Sequence, residues 1–331
     1  MHVHLREGDM LDLTVPATAR TFSGALVMPN LKTPITTIDA ALRYKEQIEA
    51  KSGQESFTPY MTLFFKSTYT RDFLAEAKRH VLAVKLYPEG VTTGSGGGVK
   101  SPLDRDCMTV YAAMEELGIP LCVHGETPAG FVLEREVLFA PVYDELARAF
   151  PKLKIVMEHI TTKKLAVFLD RHENVFATVT LHHLLITLDD VIGDALSPHN
   201  FCKPVAKTPA DREALRELAL AGHPKLMFGS DSAPHTRDAK ESCCGAAGIF
   251  HAPIALQMLA GFFEKGGRID KMQGFVSDNA ARIYGIEPRE KSVVLEKKGG
   301  LKGGLIVPES YGNVVPFRSG EALEWSVKEI R

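Results

Sequence analysis

Two histidines separated by one residue, His2-Val3-His4, open the chain. Residues two apart on an extended strand face the same side, so both imidazoles converge on one point if that side is a lumen. More groups able to bind metal or move protons close short apolar runs further along. Lys85 lies in Ala83-Val-Lys-Leu-Tyr87, with Ala83 and Tyr87 on its own face and Val84 and Leu86 on the other. His124 ends Leu-Cys-Val-His, His159 ends Ile-Val-Met-Glu-His, and Asp231 follows Phe-Gly-Ser. Each alone has an ordinary explanation. A strand histidine can be a hydrogen-bonded core residue, a lysine can snorkel, and an aspartate can cap a turn. Together they select one rim of strand ends, which unrelated structural roles would not do. Imidazoles and carboxylates suit borderline divalent cations, and a metal centre is the chemistry this set supports.

The elements that would position these groups alternate along the chain. Strand-like apolar runs fall at 1–4, 25–28, 60–65, 83–87, 121–124, 155–159, 176–180 and 226–229, with stretches of helical period such as 40–50, 104–117, 134–150 and 211–221 between them. Ser101-Pro102 and Thr208-Pro209 each read as an N-cap followed by proline at the first helical position. Gly118 and Gly222 read as helix stops. Repeated strand–helix alternation requires a parallel sheet, and eight strands suit a closed (β/α)8 TIM barrel, whose chemistry sits at the C-terminal rim. A doubly wound open sheet is the competing fold. Residues 1–290 are expected to form the barrel and 291–331 a tail of turns and short strands packed on it. His2 and His4 leave no lead-in to the first strand, so either a short segment precedes this sequence or that strand is unusually brief.

Composition narrows the classes. The chain has 331 residues, 45% hydrophobic and 24% charged, with a formal net charge of -2. Neither that balance nor any basic stripe favours nucleic acid. No apolar run approaches the ~20 residues of a membrane span, and the N-terminus has no apolar core of a secretory signal. Five cysteines, with Cys243 and Cys244 adjacent and no paired CxxC clusters, read as reduced thiols of a cytoplasmic protein. The glycine-rich run 90–98 lacks the Gly-Lys-Ser/Thr ending of a phosphate loop.

At these positions the chain resembles the amidohydrolase superfamily and, within it, the dihydroorotases of the compact bacterial and fungal type. The motifs are His2-Val-His-Leu-Arg6, Val27-Met-Pro-Asn30, Val84-Lys-Leu-Tyr-Pro88, Val123-His-Gly-Glu126, Glu158-His-Ile-Thr-Thr162 and Gly229-Ser-Asp-Ser-Ala-Pro-His235. The likeness runs on through Val315-Pro-Phe and Trp325-Ser-Val. The His-x-His pair with a late aspartate is common to the superfamily. Met-Pro-Asn, Lys-Leu-Tyr-Pro and Asp-Ser-Ala-Pro-His are far more specific to dihydroorotases.

The resemblance implies two zinc ions per chain, one on His2, His4 and Asp231 and the other on His124 and His159. Lys85, carboxylated on its amine, and a hydroxide would bridge them. A carbamate is an anion with two oxygens to share, whereas a buried ammonium beside two dications would be repelled. Asp231 would also shuttle the proton between the attacking oxygen and the amide nitrogen. The implied substrates are dihydroorotate and N-carbamoyl-L-aspartate, small molecules whose α-carboxylate would be clamped by Arg6, Asn30 and His235. A guanidinium fork matches a carboxylate in a way lysine cannot. Thr92 and Thr93 match a mobile lid, the backbones of Lys203 and Ala247 match positions that bond the pyrimidine ring, and the assembly implied is a homodimer. His182, His183 and His251 take no role from the resemblance and read as core. A hydantoinase or allantoinase competes, but its substrate lacks the α-carboxylate that Arg6 and Asn30 would serve. A catalytically silent barrel acting as an assembly partner competes too, although unused charged groups in a barrel mouth cost stability.

Overall fold

The structure is a computed structural model that describes residues 1–297, 305–306 and 309–331. Seven parallel strands hydrogen-bond in chain order: β1 Gly24–Val27, β2 Thr58–Phe64, β3 Ala83–Leu86, β4 Leu121–Val123, β5 Ile155–Met157, β6 Val175–Val179 and β7 Leu226–Phe228. Both faces of the sheet are covered, which is why these runs read as almost unbroken apolar sequence. Alternation divides them cleanly. Leu26, Met28, Ala83, Cys122, Val156 and Met227 pack together inside the curl of the sheet. Val27, Val84, Leu121, Val123, Ile155 and Met157 join the larger core beneath the helices.

The sheet closes on itself through one residue. Val3 bridges Val27 in parallel on one side and Ser232 in parallel on the other. Val3 N donates to Leu26 O at 2.9 Å, Met28 N to Val3 O at 3.0 Å and His4 N to Ser232 O at 3.1 Å. The architecture is that of the (β/α)8 barrel, with the strand expected at 1–4 reduced to this bridge. The physical reason is local: His2 has φ 55, a left-handed backbone that cannot continue a strand.

Helices follow the strands and shield them. Helix Ile38–Lys51 is capped by Thr37, whose hydroxyl accepts from Ala40 N. The expectation at 101–102 needs correction. Helix Arg105–Leu117 is capped by Asp104, whose carboxylate accepts from Cys107 N at 2.8 Å, so Ser101-Pro102 stands ahead of the helix. Helix Pro209–Ala221 begins as read, with Thr208 and Asp211 in a reciprocal capping box and proline at the first position. Gly118 and Gly222 end their helices with φ 68 and 71, conformations that cost glycine nothing.

Strand Val293–Lys297 pairs antiparallel with Trp325–Ile330, and Trp325 Nε1 donates to Glu264 on helix Ala255–Lys265 at 3.1 Å. With Met1, Phe22 and Tyr60, this pair lines a cleft of about 390 Å³ beside the N-terminal ends of β1 and β2, away from the rim where chemistry is expected. Among the described residues no helix is long and apolar enough to cross a membrane.

Candidate metal centre and substrate clamp

His2 and His4 meet at the closing bridge, with their Nε2 atoms 3.3 Å apart. Asp231, just past β7, puts Oδ1 3.2 Å from His2 Nε2 and 3.0 Å from His4 Nε2. Three ligand atoms thus form a tight triangle on one side of the barrel mouth. Burial works to raise the pKa of Asp231, but hydrogen bonds from His2 and His4 outweigh it and hold the carboxyl well below its usual range. Burial lowers His4 to about 4.

Lys85 sits on the lumen face of β3 above Ala83 and is fully buried. Its Nζ has no hydrogen-bond partner and lies 5.0 Å from the centre of the Tyr87 ring. Burial pulls its pKa down from the ordinary lysine value, against Glu158. His124 and His159 stand just beyond β4 and β5, with ring centres 4.7 Å apart, and the His159 ring lies 5.0 Å from that of His2. His159 Nδ1 is buried without a partner. Burial and the neighbouring His124 hold the His159 pKa well below the usual histidine value, so the ring is neutral. An orphaned buried amine, an orphaned imidazole nitrogen and a triangle of two imidazoles and a carboxylate form a donor set that fits metal ions.

Two carboxylates behind the histidines were given no role by sequence. Glu158 Oε2 lies 2.8 Å from His2 Nδ1, a close ion-pair contact, and also accepts from Thr178 Oγ1 at 2.6 Å. Glu126 Oε2 lies 2.8 Å from His124 Nε2. Each carboxylate favours the proton on the histidine nitrogen it faces and leaves the ring's other nitrogen as a free lone pair, the arrangement a metal ligand needs. Burial works to raise the pKa of Glu158, but His2 outweighs it and holds it at about 2. The available signal was the placement of these carboxylates inside His-Gly-Glu and Glu-His motifs. Tyr87 was also passed over. Its hydroxyl is buried and unpartnered, and the residue lines the cavity.

Beside the metal ligands, Arg6 and Asn30 line the same cavity, and His235 contacts Arg6. Arg6 Nε donates to Pro234 O at 2.9 Å, and its Nη2 lies 2.9 Å from His235 Nε2. The same His235 nitrogen is 3.1 Å from Ala247 O. One neutral nitrogen cannot serve both, because Arg6 can only donate and a carbonyl can only accept. Burial and then Arg6 lower the His235 pKa to about 3, so the ring is neutral. Asn30 Nδ2 donates to Thr93 O at 3.1 Å, while its Oδ1 is buried without a partner. Thr92, Thr93, Lys203 and Ala247 line the same cavity as His4, His124, His159 and Asp231. The loop carrying the two threonines folds down onto Asn30, and Gly94, at φ 73, would place a Cβ 3.1 Å from Asn30 O. All thirteen residues singled out for metal or substrate therefore gather at one rim. His182, His183 and His251 lie outside the cavity, fully or nearly fully buried.

The match to known proteins is broad. A family model described as amidohydrolase covers residues 67–286. A dihydroorotase of Helicobacter hepaticus is 43% identical over 334 residues, covering 99% of this chain and 96% of that protein. The crystal structure of dihydroorotase from Campylobacter jejuni superposes with a TM-score of 0.92 at 48% identity, covering 99% of this chain and 95% of the other. Dihydroorotase from Saccharomyces cerevisiae in complex with 5-fluoroorotic acid gives a TM-score of 0.91 at 35% identity, covering 99% and 96%.

Proposed function

The chain belongs to the amidohydrolases and, within them, to the dihydroorotases, and on that premise we propose that its rim works as a two-zinc centre facing a carboxylate clamp. The reaction is reversible hydrolysis of a cyclic amide, the opening of L-dihydroorotate to N-carbamoyl-L-aspartate in pyrimidine biosynthesis. In this reading His2, His4 and Asp231 hold one ion and His124 and His159 the other, with carboxylated Lys85 between them. When bound, the ions supply a water of lowered pKa and polarise the ring carbonyl.

The remaining work falls to the chain's own groups. Glu158 and Glu126 fix the ring orientation of His2 and His124. Asp231 takes a proton at its carboxylate from the attacking water and delivers it to the leaving amide nitrogen, and ring closure runs the same path backwards. Arg6, Asn30 and His235 orient the substrate through its α-carboxylate. The conflict at His235 supports this. A carboxylate entering there would accept from Arg6 and leave His235 Nε2–H free to donate. Thr92 and Thr93 cover the substrate and exclude water, and the backbones of Lys203 and Ala247 hold the ring. We further propose a cytoplasmic homodimer in which residues 1–290 are the catalytic barrel and 291–331 pack against it.

The observation that carries this reading is Lys85 Nζ, buried without a partner between two groups of metal-competent side chains. An ammonium left so would cost several kcal/mol, and carboxylation removes that charge. Lys85→Ala should lose bridging metal and nearly all activity, and short carboxylic acids in excess should restore part of it. Full activity of Lys85→Ala with no additive would overturn the bridge assignment.

A further inference from the structure

Behind the rim, on the far side of β7 from the closing bridge, lies a second group of ligand atoms with no part in the reading above. His182 and His183, on the short helix Leu181–Leu185, face Cys202, and one ligand atom from each lies within 4.8 Å of the others. All three side chains are buried. His182 is the anomaly. Both its ring nitrogens are buried with no hydrogen-bond partner. A neutral imidazole always carries one N–H and one lone pair, and this ring satisfies neither, which burial makes costly.

We propose that His182, His183 and Cys202 form a structural site for a thiophilic d10 cation of the Zn2+ or Cu+ class. Cys202 Sγ lies 3.5 Å from His183 Nε2, an edge length suited to two ligands of one tetrahedral ion. Without metal, His183 Nε2–H donates to Pro204 O at 3.0 Å. On metal binding the proton would move to Nδ1, where Thr180 Oγ1 at 2.9 Å can accept it, and free Nε2 as a lone pair. Pro204 O also accepts from Cys202 Sγ at 3.3 Å, and once both protons are gone it would be available as a fourth, oxygen ligand. Without metal, burial lifts the Cys202 thiol to about 12, and it stays protonated. Loading replaces the S–H bond by a metal–sulfur bond and releases that one proton to solvent. The ion would clip the segment carrying Lys203 onto the Leu181–Leu185 helix and so fix one wall of the cavity. It is separate from the proposed zinc pair, whose ligands include no sulfur.

That difference supplies the test. Full-length protein loaded with Co2+ should show a near-ultraviolet sulfur-to-cobalt charge-transfer band, which nitrogen and oxygen ligands cannot produce. The band should vanish in Cys202→Ser and persist in a variant with both Cys243 and Cys244 changed to Ser. Zinc-loaded wild type should hold one more metal per chain than Cys202→Ser or His182→Gln, with copper measured alongside. His182→Gln removes a ring with no hydrogen bond to lose, so it keeps the test open if the cysteine variant folds poorly. Lys85→Ala should keep the band, which separates failure here from failure of the catalytic assignment. No band in the wild type, a band that survives Cys202→Ser, or unchanged metal content in both variants overturns the proposal.

Discussion

Arg6→Lys isolates geometry from charge at the clamp. The guanidinium plane is set by Nε, which donates to Pro234 O at 2.9 Å and turns Nη2 toward His235. The backbone beneath is held by Tyr44, whose hydroxyl donates to Arg6 O at 2.6 Å. That bond does not depend on the side chain, so the substitution should leave the main chain in place. A lysine keeps one positive charge on a single nitrogen. It cannot both reach Pro234 O and offer a two-point fork to a carboxylate. The loss is about one charge-assisted hydrogen bond, ~1.5–3 kcal/mol. At about 1.4 kcal/mol per tenfold, kcat/KM should fall on the order of 10–100-fold. Both substrates carry the α-carboxylate, and an enzyme cannot move the overall equilibrium. The fall must therefore be equal for ring opening and ring closure. Steady-state assays in both directions, with metal per chain measured on the same preparation, check this. Wild-type kinetics at full metal content would place the α-carboxylate elsewhere. A loss that follows metal loss would show Arg6 acting on the metal site instead.

Thr93→Ala should lower turnover in both directions with metal retained, because the lid hydroxyl positions substrate and excludes water; the backbone bond from Asn30 to Thr93 O is untouched, so unchanged kinetics would mean a passive loop. Dihydroorotate carries one carboxylate and N-carbamoyl-L-aspartate two, so ring closure consumes a proton. With Asp231 as the shuttle, hydrolytic kcat/KM should rise with pH through one apparent ionisation while synthetic kcat/KM falls, and that ionisation belongs to the coupled site. A pair of pH–rate profiles on Asp231→Asn at full metal, matching those of the wild type, would remove Asp231 from proton transfer.

The period-2 pattern made most of the barrel legible. Lys85 among Ala83 and Tyr87 was readable as lumen-facing because strand alternation is strict, and the core divides along that same alternation. Alternation stopped helping where the strands stop. β5 ends at Met157 and β4 at Val123, so Glu158 and Glu126 lie beyond the reach of that rule, and nothing in the periodicity shows that each turns back onto a histidine. The convergence of His2 and His4 was anticipated through strand geometry, yet the residues do not form a strand. They meet because Val3 is pinned on both sides and His2 is turned by its backbone. The helical stretch at 104–117 is legible to within a residue, but its cap is not: the proline at 102 points to Ser101, whereas it is Asp104 that accepts from the amide of Cys107.

Backbone strain is what the sequence hid most completely, and it marks the site better than any motif. Among the described residues five non-glycine positions have positive φ, and four of them are His2, Arg6, His159 and Asp231, at 55, 65, 42 and 46. Each such residue costs about 1–3 kcal/mol. Four together are comparable with the net stability of a typical domain, about 5–15 kcal/mol. They persist only because each is held from outside. His2 O accepts from Asp231 N and from Ser230 Oγ, Arg6 O accepts from Tyr44, and His159 N donates to Thr178 Oγ1 at 2.7 Å. Strand alternation alone would send His159, in register with Ile155 and Met157, toward the helices, while His2, Arg6 and Asp231 keep the parity of the lumen face. The left-handed turn at His159 breaks that alternation at the rim, and all four groups face one volume. The apolar floor of Ala83, Cys122, Val156 and Met227 beneath them supplies the packing that makes this arrangement affordable. Relieving the strain without changing a ligand should therefore damage the site more than the fold. Thr178→Val, which deletes the hydroxyl bonded to both His159 N and Glu158, is the substitution that follows, and lost metal affinity in a protein that still unfolds cooperatively is its expected result. Unchanged metal affinity in Thr178→Val would mean that the turn at His159 is held by the metal ligands themselves.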